Sequence, residues 1–246
     1  MKVLTIDIER RPALGYVWSL WKQNVQTQAL VEHGEMISFA AKWLGEKPVI
    51  FYSTYHHGKE EMVAAAHALL DEADVVVTYN GDRFDIPHLQ TEFILQGLNP
   101  PSPFESVDLF KSVKKQFNFI SNKLDYVCGQ LGLPQKTSHD GFKLWLDCIA
   151  GKDAAWTKMR RYNKNDVVIT EQLYMKLLPW NPKTPNRNLY EGEGGVVVCP
   201  ACGGEDLQRR GYQYTALSVF QRLHCQSCGK WSKITARVDG TQVRGL

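Results

Sequence analysis

No stretch of this 246-residue chain holds the roughly 20 consecutive apolar residues that a bilayer-spanning helix needs. Met1-Lys2 leads straight into the apolar run Val3-Leu4-Thr5-Ile6, without the basic, apolar and small-residue segments of a secretory leader. Neither a membrane partner nor export is expected, and the expected compartment is the cytoplasm. Internal repeats and low-complexity tracts are also lacking, which excludes solenoids and tail-like disordered arrays. Charge of one sign is scarce overall, with a formal net charge of +3. Cysteine is scarce too, six in all, too few for a disulfide-dense scaffold of this length.

What is present is unevenly placed. Residues 196–246 hold seven Lys or Arg against three acids, a local charge of +4, so the rest of the chain carries 22 basic and 23 acidic residues. A basic C-terminal segment suits a polyanionic partner. Four of the cysteines form two Cys-x2-Cys pairs, Cys199/Cys202 and Cys225/Cys228, each followed by glycine. In a reducing compartment that spacing favours metal thiolates over disulfides. Cys128 and Cys148 have no such partners and read as small buried apolar residues.

The run Val3-Leu4-Thr5-Ile6-Asp7-Ile8-Glu9 reads as a buried strand ending in two carboxylates. Side chains alternate along a strand, so Asp7 and Glu9 point the same way. Two like charges at the end of an apolar strand repel and lose hydration, and a cation between them makes the arrangement favourable. A divalent metal is the natural occupant.

Residues 36–44 and 48–53 read as a hairpin beside this first strand, residues 60–70 as an alanine-rich helix, and residues 73–79 as an apolar β-branched strand. Pro87 is expected to begin a helix reaching about residue 96, residues 106–110 form a short strand, and the remainder to about 178 is helical with breaks at Gly132 and Gly151. Strands first, then alternation, then helices predict an α/β domain, a sheet covered by helices, over residues 1–178. Residues 179–195, with three prolines and three glycines, read as a linker. Residues 196–246 form a small C-terminal module.

After the second apolar strand comes Tyr79-Asn80-Gly81-Asp82-Arg83-Phe84-Asp85. Asn80-Gly81 alone would read as a hairpin turn and Asp85 as a helix-start residue, but no returning strand follows. Further on, Tyr162, Asp166, Ile169, Leu173 and Leu177 share one helix face, at what is expected to be the start of a helix. A carboxylate at the margin of that stripe wants a metal or a basic partner, either Arg160, Arg161 or a distant lysine.

Taken together, the acid pair, the Asn80 to Asp85 stretch and Tyr162-x3-Asp166 resemble the three motifs of the DEDDy 3′ to 5′ exonucleases of the DnaQ-like, ribonuclease H-like superfamily. The nearest resemblance is to stand-alone relatives of the proofreading domain of family B DNA polymerases. Arg161 stands where the histidine variant of that family has its histidine, and Tyr162 assigns the tyrosine variant.

The resemblance implies a ribonuclease H-like fold, a mixed sheet flanked by helices, and two Mg2+ or Mn2+ ions held by Asp7, Glu9, Asp85 and Asp166, with Asp7 bridging both, Glu9 and Asp166 holding the nucleophile-side ion and Asp85 acting largely through water. Hard cations want such oxygen ligands. Tyr162 would orient the attacking water, being too weak a base to take its proton. Asn80 and Phe84 would line the 3′-terminal nucleotide, and simple core packing is the other reading of Phe84. Asp108 reads as a strand-end cap, with an outer-shell acid as the alternative.

The expected activity is hydrolysis of single-stranded DNA from its 3′ end, with RNA or structured substrates, or an inactive nucleic-acid-binding zinc protein, as alternatives. Any proofreading would be in trans, beside a replication or repair protein. Cys199, Cys202, Cys225 and Cys228 have the spacing of a zinc ribbon holding one structural Zn2+. The aromatics and cations between those pairs either pack the ribbon or bind single strands. Residues 14–28, with Trp18 and Trp21, either shape a substrate cleft or bury two large rings.

Overall fold

Hydrophobic alternation in the first strand decides how the sheet is layered. In a computed structural model describing residues 1–19, 21–22, 24–136, 141–181, 184–191 and 196–244, β1 (Val3–Arg10) is the middle strand of five. The first half of the chain continues through the short β2 (Leu14–Gly15) and β3 (Leu30–Glu32), then β4 (Met36–Trp43), β5 (Ile50–Ser53), α1 (Thr54–His57), α2 (Lys59–Glu72), β6 (Val75–Thr78), α3 (Asp85–Leu95) and β7 (Glu105–Asp108). Then follow α4 (Leu109–Gln116), α5 (Leu124–Gln130), α6 (Phe142–Ile149) and the long α7 (Asp153–Leu177).

The sheet order is β5-β4-β1-β6-β7, antiparallel on the β4 side of β1 and parallel on the β6 side. Leu4, Ile6 and Ile8 pack into one core with Met62, Val63 and Leu70 of α2 and Leu89 and Phe93 of α3. Thr5, Asp7 and Glu9 take the opposite face, as a period of two requires. Opposite Asp7 and Glu9, β4 places the small residues Ala40 and Ser38. That leaves room for α7 to approach the carboxylates.

Several expected boundaries move. The helix carrying Tyr162 starts at Asp153, so Tyr162 lies well inside it; its apolar stripe extends back through Met159 and Ala155, both buried. The helix expected from Pro87 begins at Asp85. Proline is tolerated there because first-turn N–H groups have no intrahelical acceptor. β7 stops at Asp108, whose side chain accepts from the Phe110 N–H at 2.9 Å and caps α4. The chain breaks again between α4 and α5, where continuous helix was expected.

The chain divides into two compact units, Lys2–Leu173 and Tyr174–Leu246 with Met1. In the second, β8 (Leu207–Tyr214), β9 (Ser218–Cys225) and β10 (Trp231–Gly240) form an antiparallel sheet with β9 central, preceded by the four-residue helix α8 (Asn188–Glu191). α8 falls within the expected linker, of which residues 182–183 and 192–195 lie outside the described residues. Among the described residues no helix is long and apolar enough to cross a membrane.

Candidate active site

Asp7 and Glu9 stand at the C-terminal end of β1, beside the C-terminal end of its parallel neighbour β6, where open α/β sheets place their ligands. The chain leaves β6 through Asn80, which takes a positive φ of 68°. Asp108 Oδ1 accepts the Asn80 N–H at 2.9 Å and holds that turn. Gly81 follows because nothing larger fits: a Cβ there would stand 2.3 Å from Thr78 Oγ1. The turn delivers Asp85 to the first position of α3, where its Oδ1 accepts the Ile8 N–H at 3.0 Å, between Asp7 and Glu9 in the chain.

From the other side, α7 brings Asp166. Asp7, Glu9 and Asp166 each offer a carboxylate oxygen within 4.8 Å of the others. Asp85 lies outside that group of three, yet close enough for its charge to raise Asp7. Tyr162 packs in a cluster with Ile37, Leu144, Cys148 and Met159. The structure therefore brings together five of the residues singled out from sequence. Asn80 lines a neighbouring cleft of about 540 Å³ with Tyr79, Phe110 and Lys136. Phe84 is 42% exposed, which disposes of its reading as core, and its ring meets His88 edge-on at 4.8 Å between centroids.

The electrostatics are those of crowded, buried carboxylates whose mutual repulsion a nearby ammonium, that of Lys136, only partly offsets. Burial, followed by the charges of Asp85, Glu9 and Asp166, drives the Asp7 carboxyl far above the usual carboxylate range. Burial and Asp166 push Glu9 up to about 8. Burial pushes Asp85 up to about 7, against the pull of the Ile8 N–H and its own N–H. Burial and the charge of Asp166 also raise the Tyr162 phenol, which therefore keeps its proton at neutral pH and can donate it to a hydrogen bond.

Three residues that sequence reasoning assigned no part complete the arrangement. The Asn163 side-chain amide donates to the Asp7 carbonyl at 3.1 Å and to Asp7 Oδ2 at 2.7 Å, while its own oxygen accepts from Ser38 Oγ at 3.2 Å. Trp145 hydrogen-bonds Glu9. Lys136 Nζ pairs with Asp166 Oδ2 and donates to the Tyr162 hydroxyl at 3.3 Å. Lys136 is the distant lysine of the ion-pair reading of Asp166, and burial would lower its ammonium were Asp166 and Tyr162 not holding it up. Asn163 was legible in principle, being polar at a core-facing position next to Tyr162. Lys136 carries no periodic signal, because it sits in a connection between helices.

The donor set fits hard divalent cations: all oxygen, acidic, and with proton affinities that a bound 2+ charge would relieve. The second unit offers a different set. Cys199, Cys202, Cys225 and Cys228 place their sulfurs within 4.8 Å of one another, at 3.7 Å for Cys199–Cys228 and for Cys202–Cys225. That is far beyond the ~2.05 Å of a disulfide and close to the edge of a tetrahedron built on ~2.3 Å metal–sulfur bonds, a geometry compatible with a zinc site. Gly203 and Gly229, both at positive φ, return N–H groups to the Cys199 and Cys225 carbonyls at 2.9 Å, forming two like knuckles. Cys128 and Cys148 are buried in the other unit, their thiols pushed up by burial to about 11 and about 12.

A family model described as the RNase_H superfamily matches residues 25–178, a span that holds Asp85, Tyr162 and Asp166 and begins after Asp7 and Glu9. No curated protein matches the chain. Among solved structures, the family B DNA polymerase from the hyperthermophilic archaeon Pyrobaculum calidifontis is similar in fold, with a TM-score of 0.55 and 20% sequence identity. The similarity covers 73% of this chain and 25% of the polymerase chain.

Proposed function

The chain belongs to the RNase_H superfamily, and from that premise we propose that it is a metal-dependent 3′ to 5′ exonuclease of the DEDDy type acting on single-stranded DNA. The observation that carries the proposal is the convergence of carboxylate oxygens from β1 and α7 within 4.8 Å, with Asp85 bonded into the same strand end. A fold shared with part of a DNA polymerase favours DNA as the polymer.

Asp7, Glu9, Asp85 and Asp166 hold the ions. When bound, a pair of Mg2+ or Mn2+ ions supplies a nucleophile at neutral pH and positive charge at the leaving oxygen. Asn163 fixes the Asp7 carboxylate from behind, and Trp145 does the same for Glu9. Tyr162, protonated, orients the attacking water. Lys136 neutralises Asp166 and, with Asn80, lines the cleft that would take the terminal nucleotide. In the second unit the four cysteines hold one structural Zn2+, and we assign residues 1–178 to the nuclease domain, 179–195 to the linker and 196–246 to the zinc ribbon.

The test is digestion of a 5′-labelled single-stranded oligonucleotide with Mg2+, in parallel with the matched RNA. A ladder shortening from the 3′ end, abolished in Asp7→Ala and Asp166→Ala, is the expected result. Cleavage of RNA alone moves the assignment to an exoribonuclease, and undiminished cleavage in either variant overturns the site.

A further inference from the structure

Beyond the carboxylates the strand pair that carries them does not end. β1 and β4 run antiparallel through Asp7 and Glu9, slip register between Glu9 and Arg10, and continue as the narrow ribbon β2–β3, with Leu14 opposite Glu32 and Gly15 opposite Leu30. The Tyr16 N–H donates to the Ala29 carbonyl at 2.9 Å. Gly15 permits this approach, since a Cβ there would lie 2.9 Å from the Ala29 oxygen. The segment beyond this ribbon buries neither of its tryptophans: Tyr16 is 80% exposed, Trp18 102% and Trp21 83%. Of the two readings of residues 14–28, the burial of two large rings is therefore the one that fails.

Such a concentration of bare aromatic faces on one arm asks for a partner, and its charge selects which. Residues 14–28 hold one cation, Lys22, and no acid, in a chain with 26 acids over 246 residues, where about one or two would be expected in a stretch of that length; Glu32, opposite Leu14, is paired with Arg11 at 2.8 Å. Within that stretch no carboxylate repels a polyanion, and Lys22 attracts one. Tyr16 lies seven residues past Glu9 along the chain, so its backbone is at most ~25 Å from the carboxylates. A strand leaving the carboxylates on that side of the sheet would reach it within a few nucleotides.

We propose that Tyr16, Trp18 and Trp21 form a grip for single-stranded nucleic acid, stacking on unpaired bases upstream of the end held at the carboxylates. The grip rests on the nuclease reading for the identity of its ligand. Stacking on aromatic rings is tolerant of sequence, which suits an enzyme that must advance along any strand. A second copy of this chain and a duplex end are the competing occupants.

The experiment compares wild type, Trp18→Ala/Trp21→Ala and Trp18→Phe/Trp21→Phe, full chains, by fluorescence anisotropy of a labelled long thymidine oligonucleotide in Ca2+, and by KM and kcat on that strand and on a dinucleotide in Mg2+. The alanine pair is expected to weaken binding and raise KM on the long strand by about tenfold or more, with kcat on the dinucleotide unchanged. The phenylalanine pair, which keeps the rings, should recover most of it. Because the side chains are exposed, both variants should melt with the wild type. Unchanged affinity in the alanine pair overturns the grip. So does a loss confined to blunt duplex, or a change from dimer to monomer in sedimentation without loss of strand binding. Wild type that binds the oligonucleotide in Ca2+ and never shortens it in Mg2+ sinks the nuclease reading alone, since the anisotropy comparison still decides the arm.

Discussion

Asn163 reaches across from α7 and donates to the Asp7 carboxylate at 2.7 Å while its own oxygen accepts from Ser38 Oγ, so one fully buried amide ties the helix to two strands of the sheet at the carboxylate cluster. Asn163→Ala strips Asp7 of a donor and leaves Ser38 without its acceptor. Removal of such a buried partner costs about 1–3 kcal/mol. Loss of a residue that orients a ligand costs roughly 10- to 100-fold in metal affinity or activity. Denaturant unfolding and a Mn2+ titration of hydrolysis should show both losses; a variant with normal stability and normal Mn2+ response would mean the amide has no positioning role.

Lys136 neutralises Asp166. Its ion pair with Asp166 compensates a carboxylate that is only 3% exposed, and Lys136→Met removes that compensation without removing much volume. Breaking a buried pair costs about 3–5 kcal/mol, and since the lysine is a third exposed, solvent trims this to about 1–3 kcal/mol. The loss should appear in metal-free protein and shrink when Mn2+ supplies the missing charge, so added Mn2+ should raise the Tm of the variant more than that of the wild type. Equal Mn2+ shifts in the two proteins would place the lysine outside the metal's field.

How much of this could be read beforehand follows the physics of each signal. The order of strands and the acid pair were legible because alternation over Val3 to Glu9 is a local pattern, and Tyr162 to Leu177 was legible as a face because helical spacing is local too. The true start of α7 was missed although Ala155 and Met159 continue the same stripe. Lys136 was missed because nothing local marks a connection residue that meets Asp166 thirty positions away. The exposed arm was undecided for a related reason: tryptophan spacing is the same whether the rings face a core or a ligand, and only the solvent exposure of Trp18 separates the two.

Metal-free stability should fall as pH rises through neutrality. Glu9 and Asp85 have folded-state values raised to about 8 and about 7, above the ordinary 4.5 and 3.8, so in the interval from about 4 to about 8 the native state binds more protons than the unfolded chain. Unfolding then releases protons, and higher pH favours it. Saturating Mn2+ should remove this slope, because the bound charge takes over the protons' role and their release accompanies metal uptake. Thermal melts at pH 6 and pH 8, with EDTA and with Mn2+, measure it; a metal-free protein more stable at pH 8 than at pH 6 would contradict the burial of these carboxyls.

The cysteine cluster makes a prediction that separates the two units. Four sulfurs lie within 4.8 Å of one another, one of them at the end of β9, and the strands β8 to β10 have little apolar burial of their own, Leu223 and Cys225 being the buried positions along them. A metal must then supply most of the order there. The purified chain should carry one zinc, and Cys202→Ser should lose it. In that variant hydrogen exchange should accelerate throughout Leu207–Tyr214 and Trp231–Gly240, while amides of Val3–Arg10 and Val75–Thr78 keep their protection, since none of the ligands lies in Lys2–Leu173. Protection lost equally in both units would show that the ribbon is folded together with the acid-bearing sheet instead of on its own metal. Zinc retained at full stoichiometry by the serine variant would show that Cys202 is not one of its ligands.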